Sequence, residues 1–317
     1  MTAREIFEGI RKKDRLALSK GVTLVESLRD EDRSQALELI GLCHREGMQS
    51  RRIAISGSPG VGKSTFIESF GLYLVGKGES VAVLAIDPTS SISKGSILGD
   101  KTRMEELSRS ELAFIRPSPN REEAGGLGIS SYEISILCEA AGYDYILIET
   151  VGVGQSEIAA RYLCDLFILI LQPGAGDELQ SIKRGIVEIA DLFVVNKYDG
   201  SFREQAEKTR LRFLTEATRD EVSTREVILY SSIKHYGLEA VATFIEGFYE
   251  GKNLRDLTKR RDAYWLSKKL EKGIVELCLK RYRQEIDRIV SLIEHGVNDP
   301  FPLVRDFLKD LDTASNR

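Results

Sequence analysis

Short apolar runs alternate with longer amphipathic stretches from about residue 52 to residue 252. There are seven such runs, and several of them are apolar throughout rather than at every second position. That is typical of parallel strands covered on both faces. Helix-length segments separate most of the runs, so the order predicts a doubly wound, mainly parallel α/β sheet. The predicted strands are Ile53–Ile55, Val81–Ile86, Leu112–Ile115, Tyr145–Ile148, Leu166–Leu171, Leu192–Val195 and Val227–Leu229.

The pattern becomes helical on both sides of this region. The first 50 residues carry apolar positions such as Ile6, Ile10, Leu16 and Leu37 at helical spacing. Residues 256–295 predict long helix with one apolar stripe, and a short helix follows near the end of the chain. A stripe of this length needs cover, either from its own domain or from a second subunit, and we favour a dimerisation arm. The predicted division is residues 1–50 (N-terminal helices), 51–252 (sheet domain) and 253–317 (C-terminal helical arm).

Composition narrows the choice of function. The chain has 317 residues, of which 30% are charged, and a formal net charge of −4. This balance argues against a general nucleic-acid binder, which would favour a basic face. The N-terminus lacks the pattern of a secretory leader, and the longest strongly apolar run, Leu166–Leu171, is too short to span a bilayer. We therefore expect a cytoplasmic protein with no membrane partner.

Residues 57–64 read GSPGVGKS and fit the phosphate-loop pattern G-x-x-x-x-G-K-[ST]. A predicted strand precedes the loop and an amphipathic helix follows it. Glycines let backbone N–H groups face phosphate oxygens, and the helix N-terminus adds partial positive charge. Lys63 would neutralise the β- and γ-phosphates, and the Ser64 hydroxyl would bind Mg²⁺. The predicted phosphate-binding residues are Gly57, Ser58, Pro59, Gly60, Val61, Gly62, Lys63, Ser64 and Thr65.

Acidic residues end two of the predicted strands. Asp87 and Glu149 are placed to hold Mg²⁺, directly or through water, although a helix cap is the alternative for each. Gly152, in the sequence that follows Glu149, would present its N–H to the γ-phosphate. Asp100 is either a third acid near the metal or a surface cap, and Gln155 is a candidate for orienting the attacking water.

The sequence Asn196-Lys197-Tyr198-Asp199 follows another predicted strand and fits N-K-x-D. The Asp199 carboxylate can accept hydrogen bonds from guanine N1–H and the 2-amino group, whereas adenine offers an acceptor at N1 and would leave it unpaired. The Lys197 stem would cover the base, and Asn196 would tie loops together. The backbone of Ser231, Ser232 and Ile233 would close the pocket from the other side. Together with the phosphate loop, this predicts binding of GTP and GDP.

In this order the motifs resemble the MeaB/ArgK family, GTPase chaperones of adenosylcobalamin-dependent methylmalonyl-CoA mutase and related acyl-CoA mutases. The resemblance implies a P-loop GTPase that gates cobalamin loading and protects the mutase, and a homodimer built through the C-terminal helical arm. It also implies a mobile switch from Asp177 to Lys183, with Lys183 reaching the nucleotide or the partner. The segments that carry it are 57–65, 85–88, 96–104, 115–119, 149–157, 173–180 and 196–200.

Some residues depart from the family pattern, and two other functions compete. Glu122 and Glu123 replace residues that are usually small or polar, and Tyr198 stands where a small residue is common. A metallochaperone GTPase for another metalloenzyme would carry His-rich or Cys/His transfer motifs, but this chain has three histidines and no C-x-x-C pair. A transport-linked ATPase or kinase would have to bind ATP, and Asp199 argues against that.

Overall fold

The computed structural model describes the backbone of residues 1–27, 29–47, 49–87, 104–119, 128–150, 156–174, 184–217, 226–296 and 299–315. Predicted site residues Asp100, Gly152, Gln155 and Lys183 lie outside these ranges, as do Glu122 and Glu123.

Seven parallel strands form one sheet in the order β3-β2-β4-β1-β5-β6-β7. All seven predicted strands are present, and the parallel α/β prediction is confirmed. Strand β1 lies near the middle, between β4 and β5, with Ile55 opposite Glu149 and Gly57 opposite Ile170. The strands are β1 Arg51–Gly57, β2 Val81–Asp87, β3 Ala113–Pro119, β4 Tyr145–Glu149, β5 Leu166–Leu171, β6 Leu192–Val195 and β7 Glu226–Leu229.

Strand β3 differs from its prediction at both ends. Leu112 precedes the strand and is exposed, while pairing with β2 continues as far as Pro119, opposite Asp87. Arg116, which follows the predicted end of the strand at Ile115, therefore lies inside β3. The sequence prediction missed this extension because the segment contains Pro117 and Pro119, and proline has no N–H to donate to a neighbouring strand. Proline within a strand is confined mainly to edge strands. Strand β3 is the edge strand beside β2, so its other side needs no ladder partner.

Helices in the sheet region connect successive strands and cover the sheet. On one face, Phe66 and Phe70 of α4 (Lys63–Gly76) pack with Val241 and Ile245 of α10 (Leu238–Tyr249) against the inward side chains of the strands. These side chains are buried, and they form the main apolar core of the domain. The helices of this region are α4 Lys63–Gly76, α5 Glu105–Arg109, α6 Ile129–Ala140, α7 Ser156–Leu163, α8 Arg184–Ile189, α9 Arg203–Ala217 and α10 Leu238–Tyr249.

The N-terminal region is helical, as predicted. It consists of α1 Ala3–Arg11, α2 Arg15–Val25 and α3 Asp30–Arg45, which contact one another and α6. Thr2 and Glu5 exchange hydrogen bonds of 3.3 and 2.8 Å, a capping box that begins α1. Ile6 and Ile10 are buried, whereas Leu16 is exposed although its spacing predicted a core position.

The chain divides into two compact units, Met1–Ala263 and Tyr264–Arg317. The helices that follow the sheet are α11 Leu254–Arg281, α12 Arg283–Glu294 and α13 Phe301–Ser315. The predicted long helix of residues 256–295 is therefore two helices separated at Tyr282. The second unit contains the C-terminal helices of the predicted arm. The predicted boundaries at residues 50 and 252 stay predictions.

A buried cluster of charges lies at the amino ends of β1 and β5, away from the strand ends that carry the predicted site. Arg52 of β1 pairs with Glu139 of α6 at 2.7 Å. Asp165, just before β5, pairs with Arg261 of α11, whose guanidinium is also 3.5 Å from Glu139. The Asp165 carboxylate further accepts the Arg52 backbone N–H at 3.1 Å and the Tyr249 hydroxyl at 3.2 Å. Two arginines thus meet two carboxylates, and the cluster is neutral.

Candidate functional site

The phosphate loop leaves the end of β1 and leads directly into α4. Gly57 has φ +150°, and a Cβ there would lie 2.4 Å from the Ile170 carbonyl oxygen on β5. Gly62 has φ +98° and forms the N-cap of α4, where a Cβ would lie 2.5 Å from Asn196 Nδ2. Both positions combine a left-handed backbone with close contact, so they require glycine. The predicted loop residues thus form a strand–loop–helix unit that ends on a helix N-terminus.

Lys63 and Ser64 open α4 beside the end of β4. The Lys63 ammonium group donates to the carbonyl oxygens of Gly57 at 2.8 Å and Ser58 at 3.2 Å. The Ser64 hydroxyl donates to Glu149 Oε1 at 2.8 Å, across 85 positions of sequence. Glu149 reaches this point because β4 pairs with β1 in register, and the Thr150 N–H donates to the Ile55 carbonyl at 3.0 Å. A lysine, a hydroxyl and a carboxylate therefore meet at one end of the sheet.

Asp87 ends β2, two strands from β1 in the sheet order. Its backbone lies at the carboxyl ends of the strands, as that of Glu149 does. Its side chain lies outside the described part of the structure. Among the residues described, no three His, Cys, Asp or Glu side chains form a group that could hold a metal ion. The metal roles of Ser64, Asp87 and Glu149 stay predictions, as do the catalytic roles of Asp100, Gly152 and Lys183.

The predicted base motif follows β6 and contacts the phosphate loop. Asn196 is buried, and its side-chain amide donates to the Val61 carbonyl at 2.9 Å. The Lys197 ammonium donates to the Gly60 carbonyl at 3.2 Å. Lys197 has φ +59°, a left-handed conformation that is uncommon outside glycine. Two side chains of the motif therefore attach it to the loop that would hold the phosphates.

Asp199 is held by a contact that the sequence did not predict. The Ser231 hydroxyl donates to Asp199 Oδ2. The Ser231 backbone, which was predicted to face the base, exchanges hydrogen bonds of 3.0 and 3.1 Å with Tyr236. Ser231 thus contacts Asp199 through its side chain, and Ile233 is 75% exposed. The roles of Ser231, Ser232 and Ile233 in closing the base pocket stay predictions. A carboxylate has about four acceptor positions, so the bond from Ser231 leaves Asp199 able to accept two more from a base.

Tyr230 links the base motif to the helix behind the phosphate loop. It is fully buried, its ring packs 4.9 Å from that of Phe66, and its hydroxyl lies 2.5 Å from that of Ser69. Burial raises the pKa of Tyr230, so its hydroxyl keeps its proton. Its backbone carbonyl accepts the Tyr198 N–H at 2.8 Å. No motif marked Tyr230 in the sequence, because its role comes from contacts between the end of β7 and α4.

Comparison with known proteins identifies the family. The family model described as methylmalonyl Co-A mutase-associated GTPase MeaB matches residues 18–285. The chain belongs to this family. It is 37% identical over 283 residues to GTPase ArgK of Escherichia coli (strain K12), covering 86% of this chain and 85% of that one. It is 42% identical over 277 residues to methylmalonic aciduria type A homolog, mitochondrial, of Caenorhabditis briggsae, covering 82% and 67%.

A solved structure described as LAO/AO transport system kinase superposes with a TM-score of 0.71 at 28% identity, covering 98% of this chain and 97% of that one. The resemblance of this chain to the MeaB/ArgK family is thereby confirmed. A MeaB-family chain is a GTPase and binds a guanine nucleotide, as the sequence predicted. None of the helices in the described ranges is both long enough and apolar enough to cross a membrane.

Proposed function

We propose that this GTPase binds GTP with Mg²⁺ between the phosphate loop and Asp199, and serves an adenosylcobalamin-dependent acyl-CoA mutase as a chaperone. In this role it gates cofactor loading and protects the mutase, for which methylmalonyl-CoA mutase is the leading candidate. The observation that carries the nucleotide site is the joining of three motifs, distant in sequence, at one end of the sheet. The predicted cytoplasmic location stays a prediction.

On the phosphate side, Lys63 is the main cation. Its ammonium group now donates to two neutral carbonyls of the loop, at 2.8 and 3.2 Å. Anionic β- and γ-phosphate oxygens are stronger acceptors, because charge-assisted hydrogen bonds are roughly twice as strong as neutral ones. Binding would therefore move the Lys63 ammonium group onto the nucleotide while the N-terminus of α4 faces the phosphates. The chain thereby orients the terminal phosphate for attack by water.

The side-chain oxygen atoms where the start of α4 meets the end of β4 suit Mg²⁺. A hydroxyl and a carboxylate, from Ser64 and Glu149, lie 2.8 Å apart, and both are hard ligands of the kind this ion prefers. Ser64 would bind it directly, and Glu149 would hold it directly or through water. Bound there, Mg²⁺ would offset negative charge on the β- and γ-phosphates. Asp87 is the third proposed ligand.

On the base side, Asp199 is proposed to select guanine. Ser231 holds one of its oxygens, which fixes the direction of the carboxylate. The Lys197 chain, attached to Gly60, would lie over the base, and Asn196 would keep both loops together. Asp199→Asn should shift preference from GTP toward XTP by about tenfold or more, because the amide can donate to the 2-oxo group of xanthine. An unchanged ratio would mean that Asp199 does not read the base.

The partner is proposed from the family description and from the relative named after methylmalonic aciduria. The test measures GTP and ATP hydrolysis with Mg²⁺, alone and with an adenosylcobalamin-dependent methylmalonyl-CoA mutase from the same source. GTP turnover that rises with the mutase supports the chaperone role. GTP turnover unmoved by the mutase would remove that role and leave the GTPase. A preference for ATP would contradict the proposed base site.

The homodimer is proposed from the second unit. Leu270, Ile274 and Leu277 of α11 lie on one face of the helix and are 68%, 61% and 68% exposed. Contiguous apolar surface of this kind marks interaction sites. We propose that this face packs against the same face of a second copy. Ile274→Glu should convert a dimer into a monomer in analytical ultracentrifugation, whereas Lys268→Glu on the opposite face should not. A wild-type monomer would contradict the proposal.

A further inference from the structure

Tyr198 of the base motif contacts three side chains from elsewhere in the fold, and we call the four together the tyrosine clamp: Tyr198, Arg203, Glu207 and Tyr236. The Tyr198 ring lies 5.0 Å from the Tyr236 ring, tilted by 45°. The Arg203 guanidinium lies over the Tyr198 ring, 4.9 Å from the ring centroid. The Tyr198 hydroxyl donates to Glu207 Oε1 at 2.9 Å. The Tyr198 ring is thus in contact with Tyr236 and Arg203, and its hydroxyl is bound by Glu207.

The clamp reaches Asp199 by two routes. Along the chain, Tyr198 precedes Asp199 directly, and its N–H is fixed on the Tyr230 carbonyl at 2.8 Å. Through space, Tyr236 exchanges two backbone hydrogen bonds with Ser231, and the Ser231 hydroxyl binds the Asp199 carboxylate. The contact between the Tyr198 and Tyr236 rings connects these two sets of contacts. Both the backbone and the carboxylate of Asp199 therefore depend on the same packed ring.

The motif needs such support because its backbone is not in a common conformation. Lys197 has φ +59°, which an L-residue holds only when its surroundings enforce it. The contacts of Asn196 and Lys197 hold the start of the motif on the phosphate loop, and Tyr198 and the Tyr230 carbonyl support it next to Asp199, where the Gly200–Phe202 turn begins. A carboxylate that accepts from two donors on one base must keep its direction closely, since hydrogen bonds weaken steeply when bent.

We propose that Tyr198 is a positioning residue that sets the selectivity of this GTPase for the 2-amino group of guanine. In this proposal Tyr198 does not contact the nucleotide. It fixes the orientation of the Asp199 carboxylate. This inference rests on the proposed role of Asp199 in reading the base. Arg203 and Glu207 belong to α9, so that helix supplies two of the contacts that hold Tyr198 next to Asp199. Removing the ring should loosen the carboxylate while the phosphate loop keeps its contacts.

The test compares the dissociation constants of GDP and IDP, whose bases differ only in the 2-amino group. Tyr198→Ala should reduce the preference for GDP by about tenfold, the lower range for one hydrogen bond to a charged group. The maximal rate at saturating GTP should stay within about twofold, because Lys63 and Ser64 are untouched. Tyr198→Phe keeps the packed ring and should retain most of the preference. Phe202→Ala, an exposed aromatic outside the clamp, is the matched control.

Two further variants separate the possible failures. If Tyr198→Ala does not fold, Tyr236→Ala replaces it, because that ring is 49% exposed and its backbone bridge survives truncation. A wild-type GDP-to-IDP ratio in the folded variant would overturn the clamp. If Asp199→Asn also fails to shift preference toward XDP, the base-reading role itself is wrong. A shift in Asp199→Asn with no effect of the clamp variants would refute the clamp alone.

Discussion

Asp165→Asn should be among the most destabilising single substitutions in the chain, because it removes one charge from a buried and balanced cluster. Asp165 is 4% exposed, and its carboxylate meets Arg261, the Arg52 N–H and the Tyr249 hydroxyl. The substitution leaves two buried arginines with the single carboxylate of Glu139. Burial, followed by the charge of Arg52, lowers the pKa of Arg261, whereas the carboxylates of Asp165 and Glu139 raise it.

The expected loss follows from this arrangement. Removing one partner of a buried ion pair costs about 3–5 kcal/mol, and a domain has about 5–15 kcal/mol in total. Urea unfolding followed by circular dichroism, extrapolated to water, gives the free energy of unfolding of wild type and variant. Glu204→Gln is the control, since Glu204 pairs with Lys208 in full solvent and its loss should change nothing measurable.

A double variant isolates the cause. Asp165→Asn combined with Arg261→Met removes both charges, keeps an amide oxygen at position 165 for the Arg52 N–H and the Tyr249 hydroxyl, and leaves the Arg52–Glu139 pair intact. Removing both charges of a buried pair is often neutral, so this variant should recover much of the stability lost in Asp165→Asn alone. A loss below about 1 kcal/mol in Asp165→Asn would refute the reasoning, because an uncompensated buried charge cannot be that cheap.

Three further predictions concern the phosphate loop and one ion pair. Gly57→Ala should lower the free energy of unfolding by about 1–3 kcal/mol more than Gly60→Ala. Both glycines have positive φ, but only at Gly57 would a Cβ lie 2.4 Å from a carbonyl oxygen. Equal free energies of unfolding for the two variants in urea melts would show that this clash is absent. Lys63→Ala should raise the dissociation constant of GDP by about tenfold to a hundredfold in a fluorescence titration without altering the melt, and retained wild-type affinity would contradict its phosphate role. The hydrogen bond with Asp262 raises the pKa of His44 above 6.5, so the His44–Asp262 pair contributes its full stability below that pH and loses it as the pH rises through the raised pKa. His44→Gln should therefore destabilise the protein at about pH 6 and have little effect at about pH 9. An equal loss of stability at both pH values would exclude the ion pair.

Sequence alone determined the local elements. Seven apolar runs predicted seven strands because a parallel strand buried on both faces must be apolar at nearly every position. The phosphate loop was recognisable because a tight strand-to-helix turn around phosphate requires glycine at fixed offsets, as Gly57 and Gly62 show. N-K-x-D was readable for the same kind of reason, since one carboxylate matches the donors of guanine. These are constraints within a few residues of chain.

Tertiary structure decided which of these elements meet. Strand order is not written in any one segment, so only the sheet brings Ser64 to Glu149 and joins Asn196 to Val61. It also corrected the extent of β3, which runs to Pro119 because an edge strand tolerates proline.

Arg52 and Asp165 are charged residues that composition assigns to the surface. They are buried because each finds its partner only when distant elements pack together. Tyr198 was visible in the sequence as a departure from the family pattern, but its meaning came from Arg203, Glu207 and Tyr236. Local patterns therefore determined what could bind phosphate and guanine, whereas packing between distant segments decided how Asp199 is held, because the groups that hold it share no sequence signal.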